Sequence, residues 1–483
     1  MTSSIPQECL EMIFEFIDRQ FLLSCLLVNR FWCNISVRIL WRTILNYKTF
    51  YACLPNESKL LLQENGIIIP TPTSRPLLFN YVEFIKKLKE MTIILGHSKI
   101  LPNYPINKRA LIVQETFKMI MKHASLKEID IKTTFSFLTI NVPYITFPGA
   151  NLCFQNLCKF VGDSSTNSEF CSRLADICKD IKKFKMEIAE DINEGMKKFI
   201  SVQRNIKEFD ILLHNNRCTN IVPTLMNIAD TLIKLNFEGL MFCPNMTFIS
   251  KFINLRELSI ILSYDHENLS ALQYVTLPQL KRLSLKGAGI PRDYLSRFLE
   301  NHGRNLDKLT CDNTLNSVII NYCPKLNFLC TSFYEETELR FLLKNCEKLT
   351  TLEVDCYQSS LNESRVLASV AEVGASTLAE LRINKNTIQR DAQIFSDLSE
   401  DINWGERIAP ISIILNVEEG SRTSDQGRLM IEKYISLDKI KSYEEISLPI
   451  HVGSIITPTV PGGWRTSTPS ISLTTPGTII IQH

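Results

Sequence analysis

The chain has 483 residues, of which 45% are hydrophobic and 22% charged. That is the composition of a globular protein, with room for more than one domain. Its 53 basic and 51 acidic residues leave a net charge of +2, so electrostatics gives no case for a nucleic-acid or anionic-membrane partner. No apolar run approaches the ~18 residues of a membrane span. Met1-Thr2-Ser3-Ser4 lacks the basic stretch ahead of an apolar run that marks a secretory signal. Fifteen cysteines occur without one Cys-x-x-Cys pair, which argues against zinc ribbons and thioredoxin motifs. They read as reduced thiols packed like small hydrophobes, and the expected location is cytoplasmic and/or nuclear.

Residues 1–45 are expected to form a small all-α module. Pro6 suits the first turn of a helix, where its missing N–H is no loss. Leu10, Ile13, Phe14 and Ile17 recur at helical spacing and make one apolar face. Phe21 to Val28 is too rich in leucine for one small core to hide, and Trp32 and Trp41 add two large amphipathic anchors. So short a segment cannot bury all of this alone. Its surface either packs on the rest of the chain or meets a partner.

The same residues resemble an F-box, the module that binds the Skp-family adaptor of cullin–RING ubiquitin ligases. The family pattern runs Leu-Pro-x-Glu-x-Leu-x-x-Ile-Phe, Leu-Leu, Val-x-[Lys/Arg]-x-Trp, Leu-Trp. This chain supplies Pro6, Glu8, Leu10, Ile13, Phe14, Leu22, Leu23, Val28, Arg30, Trp32, Leu40 and Trp41. It departs at Ile5, at Asn29-Arg30-Phe31, and at Phe21, where an acidic residue often stands. The resemblance implies docking on the adaptor through Pro6, Leu10, Ile13, Phe14, Leu22, Leu23, Val28 and Trp32. Leu26 and Trp32 are the expected anchors, because large apolar and aromatic residues dominate interface energetics.

Residues 46–120 are expected to be a linker and the entry to the solenoid. Pro70 to Pro76 reads as a loop, and Phe79 to Leu88 and Ala110 to His123 read as amphipathic helices. From 121 to 385 a phrase of the form apolar-x-x-apolar-x-apolar recurs. It begins at Leu126, Leu157, Ile181, Ile206, Leu232, Leu255, Leu280, Leu306, Leu326, Leu349 and Leu378, at intervals of 20 to 31 residues. The alternation ending each phrase is that of a half-buried strand. Helical spacing follows in Ser168–Cys178, Pro291–Asn301, Glu335–Cys346 and Glu363–Val373. One strand and one helix per ~25 residues is the unit of a leucine-rich repeat. The expected fold is therefore an α/β solenoid, an F-box module followed by a horseshoe with parallel strands. Cys178, Cys323 and Cys346 each stand three residues before a phrase, which resembles the cysteine-containing repeat subtype common in F-box proteins. That subtype places the cysteine inside the solenoid at a helix end.

Residues 386–447 are expected to be a divergent last repeat or a cap, with a strand at Ile411–Leu415 and a helix at Gly427–Ile435. Residues 448–483 hold five prolines, seven threonines and Arg465 as the sole charged side chain of the Lys, Arg, Asp and Glu types. That composition reads as a disordered tail. No catalytic constellation emerges, and no cofactor or metal is expected. Gly287-Ala288-Gly289 begins like a dinucleotide fingerprint but lacks its third glycine, and the histidines are scattered singly.

The resemblance thus implies a non-catalytic substrate receptor of a Skp–cullin–F-box ligase. The cullin is reached through the adaptor, and the repeats hold an unidentified target protein. The alternative is a non-ligase binding scaffold. No nucleic acid or membrane is expected as a partner. Strand alternation predicts the concave target face as Glu257, Ser259, Arg282, Ser284, Lys286, Lys308, Thr310, Thr351, Glu353, Asp355, Glu380 and Arg382. That stripe reads as basic around 282–308 and acidic around 353–355.

Overall fold

The computed structural model describes residues 6–69, 77–100, 104–132, 142–214, 221–240, 246–262, 267–287, 291–312, 316–356, 361–373, 377–385, 393–394, 410–418 and 422–448. Three helices open the chain: α1 (Gln7–Glu15), α2 (Arg19–Cys25) and α3 (Arg30–Leu40). Pro6 precedes α1, and the Asn29 side chain caps α3 by accepting from the Trp32 N–H at 2.9 Å. Two helices follow, α4 (Tyr47–Ala52) and α5 (Asn56–Glu64).

A parallel sheet then runs through the rest of the chain. Its strands are β1 (Lys87–Lys89), β2 (Glu128–Asp130), β3 (Lys159–Asp163), β4 (Lys183–Ile188), β5 (Glu208–Leu213), β6 (Lys234–Leu240) and β7 (Glu257–Leu262). They continue as β8 (Arg282–Lys286), β9 (Lys308–Cys311), β10 (Phe328–Thr331), β11 (Thr351–Asp355) and β12 (Glu380–Lys385). A two-stranded pairing of β13 (Gln393–Ile394) with β15 (Arg422–Thr423) lies apart, while β14 (Ile411–Glu418) and β16 (Ile440–Leu448) complete a 14-stranded sheet. The connections carry α6 (Glu90–Ile100), α7 (Ile106–His123), α8 (Ala150–Phe154), α9 (Ser168–Ile177), α10 (Glu194–Ser201) and α11 (Ile221–Met226). Further along lie α12 (Arg292–His302), α13 (Asn316–Tyr322), α14 (Glu336–Asn345), α15 (Glu363–Val373) and α16 (Asp425–Ser436), with short 3₁₀ segments elsewhere. Strand order follows chain order, as in a solenoid.

All eleven recurring phrases form strands of this sheet. The second apolar residue of each phrase points inward and stacks on its neighbours. Ile129, Phe160, Phe184, Phe209, Leu235, Leu258, Leu283, Leu309, Leu329, Leu352 and Leu381 pair in register and are at most 1% exposed. The aromatic members add ring contacts, with Phe184 stacked on Phe209 at 5.0 Å and tilted on Phe160 at 4.8 Å.

One backbone device sets the starts of β1 to β12. The carbonyl of the residue ahead of a strand accepts two successive N–H groups from the next turn. Lys127 O takes the N–H groups of Cys158 and Lys159, and Lys182 O takes those of Lys207 and Glu208. Twelve carbonyls do this, from Arg42 to Thr350, at 2.8–3.2 Å. A carbonyl oxygen has two lone pairs, so one atom satisfies two donors. The first of the twelve belongs to the helical module: Arg42 O accepts from both Lys86 and Lys87 at 2.9 Å. Trp41 packs on Tyr81 at 4.4 Å between ring centroids and the Arg38 guanidinium lies 5.7 Å from the Phe84 ring centre, so side chains seal the same junction.

Several expectations need correction. Phe79–Leu88 is not a helix but a single 3₁₀ turn, Tyr81–Phe84, leading into β1. The reason is a hidden phrase: Ile85 and Leu88 are buried, but Glu90 stands where the third apolar residue belongs. Residues 46–120 hold helices and the first strand, so the stretch expected as linker and solenoid entry already contains the first strand of the sheet. Residues 386–447 supply two further strands of the main sheet rather than one repeat or cap. In β16 the position paired with buried Leu415 is Glu445, so both terminal turns replace an inward apolar residue by glutamate. The expected tail lies, beyond Leu448, outside the described residues.

Burial, then the Asp163 carboxylate, pushes Glu90 up to about 7, against a hydrogen bond from Tyr144 that lowers it. The folded state thus holds a proton that the unfolded chain releases near its ordinary pKa of about 4.3. Stability attributable to Glu90 is full at low pH and declines as pH rises through about 7. Glu90→Gln should raise stability at pH 8 by about 1–3 kcal/mol and leave it little changed near pH 4, read by denaturant titration.

Two buried side chains tie adjacent turns in an equivalent way. Gln203 donates to Phe199 O and Cys178 O, both at 2.9 Å, and its Oε1 accepts from the Ile181 N–H at 3.0 Å. His302 donates from Nδ1 to Phe298 O and accepts at Nε2 from the Leu277 N–H, both at 2.9 Å. This pattern requires neutral imidazole, and burial lowers the His302 pKa despite the Phe298 hydrogen bond. Its contribution is present at neutral pH and is lost as pH falls below about 6.5. His302→Gln should keep both bonds and flatten stability between pH 7 and 5. His302→Ala orphans a buried N–H and should cost about 1–3 kcal/mol.

Candidate protein-interaction surfaces

The helical module divides its apolar residues between an inside and an outside. Leu10, Phe14 and Leu22 are 3%, 1% and 5% exposed and form its core. Trp32 is half-buried, edge-on to Phe14 at 5.1 Å, and Leu26 is half-buried beside that core. The expectation that Leu10, Phe14 and Leu22 face an adaptor therefore gives way to an internal role. They occupy the helix faces turned toward one another, where α1 and α2 pack on α3. Pro6, Ile13, Leu23 and Val28 do face solvent.

More apolar residues join them than the motif names. Met12, Ile13, Phe16, Phe21, Leu23, Leu27, Val28 and Phe31 are eight large apolar side chains at 43–90% exposure, all between α1 and the first turn of α3. Phe16 and Leu27 are the extremes, at 90% and 88%. The signal in sequence was the excess of leucine and phenylalanine between Phe16 and Phe31, but the helical period alone does not say which of them the small core takes.

On the sheet, from β1 to β8, the first outward position of each strand forms a column of paired charges. Glu128 binds Lys159 at 2.7 Å and Lys87 at 3.6 Å, and Glu208 binds Lys183 at 2.9 Å. Glu257 binds Arg282 at 2.7 Å and Lys234 at 3.4 Å, and Arg282 also reaches Asp307 at 3.7 Å. Lys308 lies 3.7 Å from the centre of the Phe328 ring. The expected basic stretch at 282–308 is thus neutralised at Arg282 by its neighbours. Thr310 is buried and cannot present a hydroxyl to a partner, because the Lys308 to Cys311 strand is covered beyond its first residue.

Deeper on this face, Lys286 is surrounded by opposite charge. Burial pulls its pKa down, but Cys330, Asp355, Asp312 and Glu353 outweigh that and hold it above the ordinary lysine value. Glu353 accepts from Asn384 at 2.8 Å, and Asn384 accepts from Asn416 at 2.7 Å. Glu380 holds Arg382 at 2.6 Å. Ser259, Ser284, Thr351 and Asp355 are half-buried on their strands. The face is accordingly a network of paired polar groups, with the buried Asn236 Oδ1 on β6 left without a hydrogen-bond partner.

Cys178 and Cys323 are buried and Cys346 half-buried, each immediately after a helix and donating its N–H to the residue four back. Burial pushes the Cys323 thiol up to about 12 and Cys346 to about 11, so these sulfurs are poor nucleophiles. Among the described residues no group of three His, Cys, Asp or Glu side chains is placed to hold a metal ion. A recess of about 400 Å³ between α8 and α9 is lined by Asn151, Gln155, Arg173 and Asp176. No helix among the described residues is long and apolar enough to cross a membrane.

Comparison with known proteins divides the chain at the same place. Residues 2–47 match the family described as F-box-like. No curated protein matches the sequence. Among solved structures, the leucine-rich repeat-containing protein LegL7 from Legionella pneumophila is similar at 11% identity and a TM-score of 0.33, over 59% of this chain and 90% of that one. A leucine-rich repeat protein of Leptospira interrogans is similar at 10% identity and a TM-score of 0.28, over 68% of this chain and 91% of that one. The chain has an F-box-like helical region at its N-terminus, followed by the 14-stranded parallel sheet.

Proposed function

We propose that this protein is the substrate-recognition subunit of a Skp–cullin–F-box ubiquitin ligase. The observation that carries the reading is the set of eight solvent-facing apolar side chains between α1 and the first turn of α3, within the F-box-like residues 2–47. So much exposed apolar surface on so small a module is the signature of a partner site. Ile13, Leu23 and Val28 contact the Skp-family adaptor together with Met12, Phe16, Phe21, Leu27 and Phe31. Pro6 sets the start of α1, Leu26 and Trp32 contribute their exposed edges, and Leu10, Phe14 and Leu22 support the surface from beneath.

The sheet and its rim hold the target. The chemistry is ubiquitin transfer to a target lysine by other subunits, with the cullin reached through the adaptor. This chain contributes proximity and orientation. The junction at Arg42 favours that role, since a receptor joined stiffly to its docking module fixes where the target sits.

The test is capture of purified Skp-family adaptor and cullin by the full chain. Wild type should retain both. Phe16→Asp/Leu27→Asp should lose the adaptor by 100-fold or more, as a charge placed at a desolvated interface centre costs several kcal/mol. Its melting temperature should stay unchanged, because both side chains are exposed. Adaptor without cullin would replace the ligase reading by a non-ligase scaffold, and capture of neither would refute the docking surface.

A further inference from the structure

The carbonyls that start the strands belong to residues whose side chains share one edge of the sheet. That edge is basic in a restricted stretch. Lys127, Lys182, Lys207, Arg256 and Lys281 stand directly ahead of β2, β4, β5, β7 and β8. Each supplies its carbonyl to the next turn, so the backbone row is fixed and the five cations fall in line. Lys127, Lys182, Arg256 and Lys281 are exposed and Lys207 is half-buried.

Isolated lysines on a solvated surface are ordinary. What distinguishes these is the contrast with the very next residue. One position later every residue is ion-paired across strands: Lys183 and Arg282, after Lys182 and Lys281, are each held by a glutamate on the neighbouring strand, and Glu128, Glu208 and Glu257, after Lys127, Lys207 and Arg256, each hold a cation there. None of the five rim cations has an ion-pair partner among the described residues. The crowding is felt nearby, since burial and then the Lys127 charge lower the pKa of Lys86, one turn back in the same row. The pattern also stops: in the next three turns the equivalent positions are Asp307, Asn327 and Thr350.

We infer that this rim, from Lys127 to Lys281, is a recognition surface for an extended acidic segment of the target protein. The six strand steps from β2 to β8 span about 29 Å at ~4.8 Å each, which an extended peptide of about nine residues covers. A nucleic-acid backbone fits less well. Glu128, Glu208 and Glu257 line the adjacent column and would repel a second row of phosphates, whereas carboxylates spaced along a peptide can seat singly between the cations. The inference rests on the target-holding role proposed for the repeats, and it does not depend on the adaptor surface.

The experiment is fluorescence anisotropy on the full chain, with a labelled oligoglutamate of about ten residues as probe and a labelled oligo-dT of equal charge beside it. The wild type should bind oligoglutamate in preference to oligo-dT, with affinity that falls as salt rises. Lys182→Gln/Lys207→Gln/Lys281→Gln should weaken it about tenfold, as the loss of three surface charge contacts implies. Lys325→Gln/Lys344→Gln/Lys348→Gln carries the same charge change on later turns and should leave binding unchanged. Thermal melting and adaptor capture are run on both variants, so that misfolding and failure of the ligase reading are seen separately. Absence of oligoglutamate binding, equal loss in both triple variants, or tighter binding of oligo-dT would each overturn the inference.

Discussion

Two successive N–H groups sharing one carbonyl of the preceding turn is the contact on which the rest of this structure depends. A parallel sheet built one turn at a time needs every strand to begin at the same level, or its inward side chains lose their partners. The shared carbonyl supplies that level twelve times over, from Arg42 to Thr350. Each bond is modest in net worth, but none can be left unmade without stranding a donor at the sheet edge. The columns follow from this alignment: an inward one of stacked apolar side chains, an outward one of paired charges, and a rim of cations.

The row begins in the helical module rather than in the first repeat. Arg42 lies just past α3, and its carbonyl does for Lys86 and Lys87 what Lys86 does for Lys127 and Glu128. The module therefore serves as the first turn of the solenoid. Trp41 against Tyr81 and Arg38 over Phe84 cover the joint. At both ends the repeat pattern turns polar, with Glu90 meeting Tyr144 and Glu445 meeting Tyr443 and Thr423. A stack of turns has no neighbour beyond its last member, and a half-buried carboxylate bonded to a phenol or hydroxyl closes the interior where an aliphatic side chain would have nothing to pack on.

The strands from Leu126 to Ile383 were legible because a half-buried strand writes its period into the sequence, and eleven turns repeat it. The turns at either end were not, because Glu90 and Glu445 sit at inward positions and erase the third apolar residue. Periodicity cannot distinguish a half-buried glutamate bonded to tyrosine from a solvated one. The module was legible as helices and as a motif, but the motif mixes residues that hold it together, Leu10, Phe14 and Leu22, with residues that face out, Ile13, Leu23 and Val28. That division is set by how three short helices cross. Charge was the least legible layer. Arg282 and Glu257 lie 25 positions apart in sequence, and their pairing exists only once the strands are in register.

The central claim is that module and solenoid are one body joined by the row of shared carbonyls. Native-state hydrogen exchange on the full chain tests it most directly, by comparing the amides of Lys86 and Lys87 with those of Lys207 and Glu208. Equivalent bonds in one cooperative unit predict similar protection at the two places, with α3 opening together with β1. Rapid exchange at Lys86 and Lys87 beside full protection at Lys207 and Glu208 would show that the module hangs free, and would contradict the account.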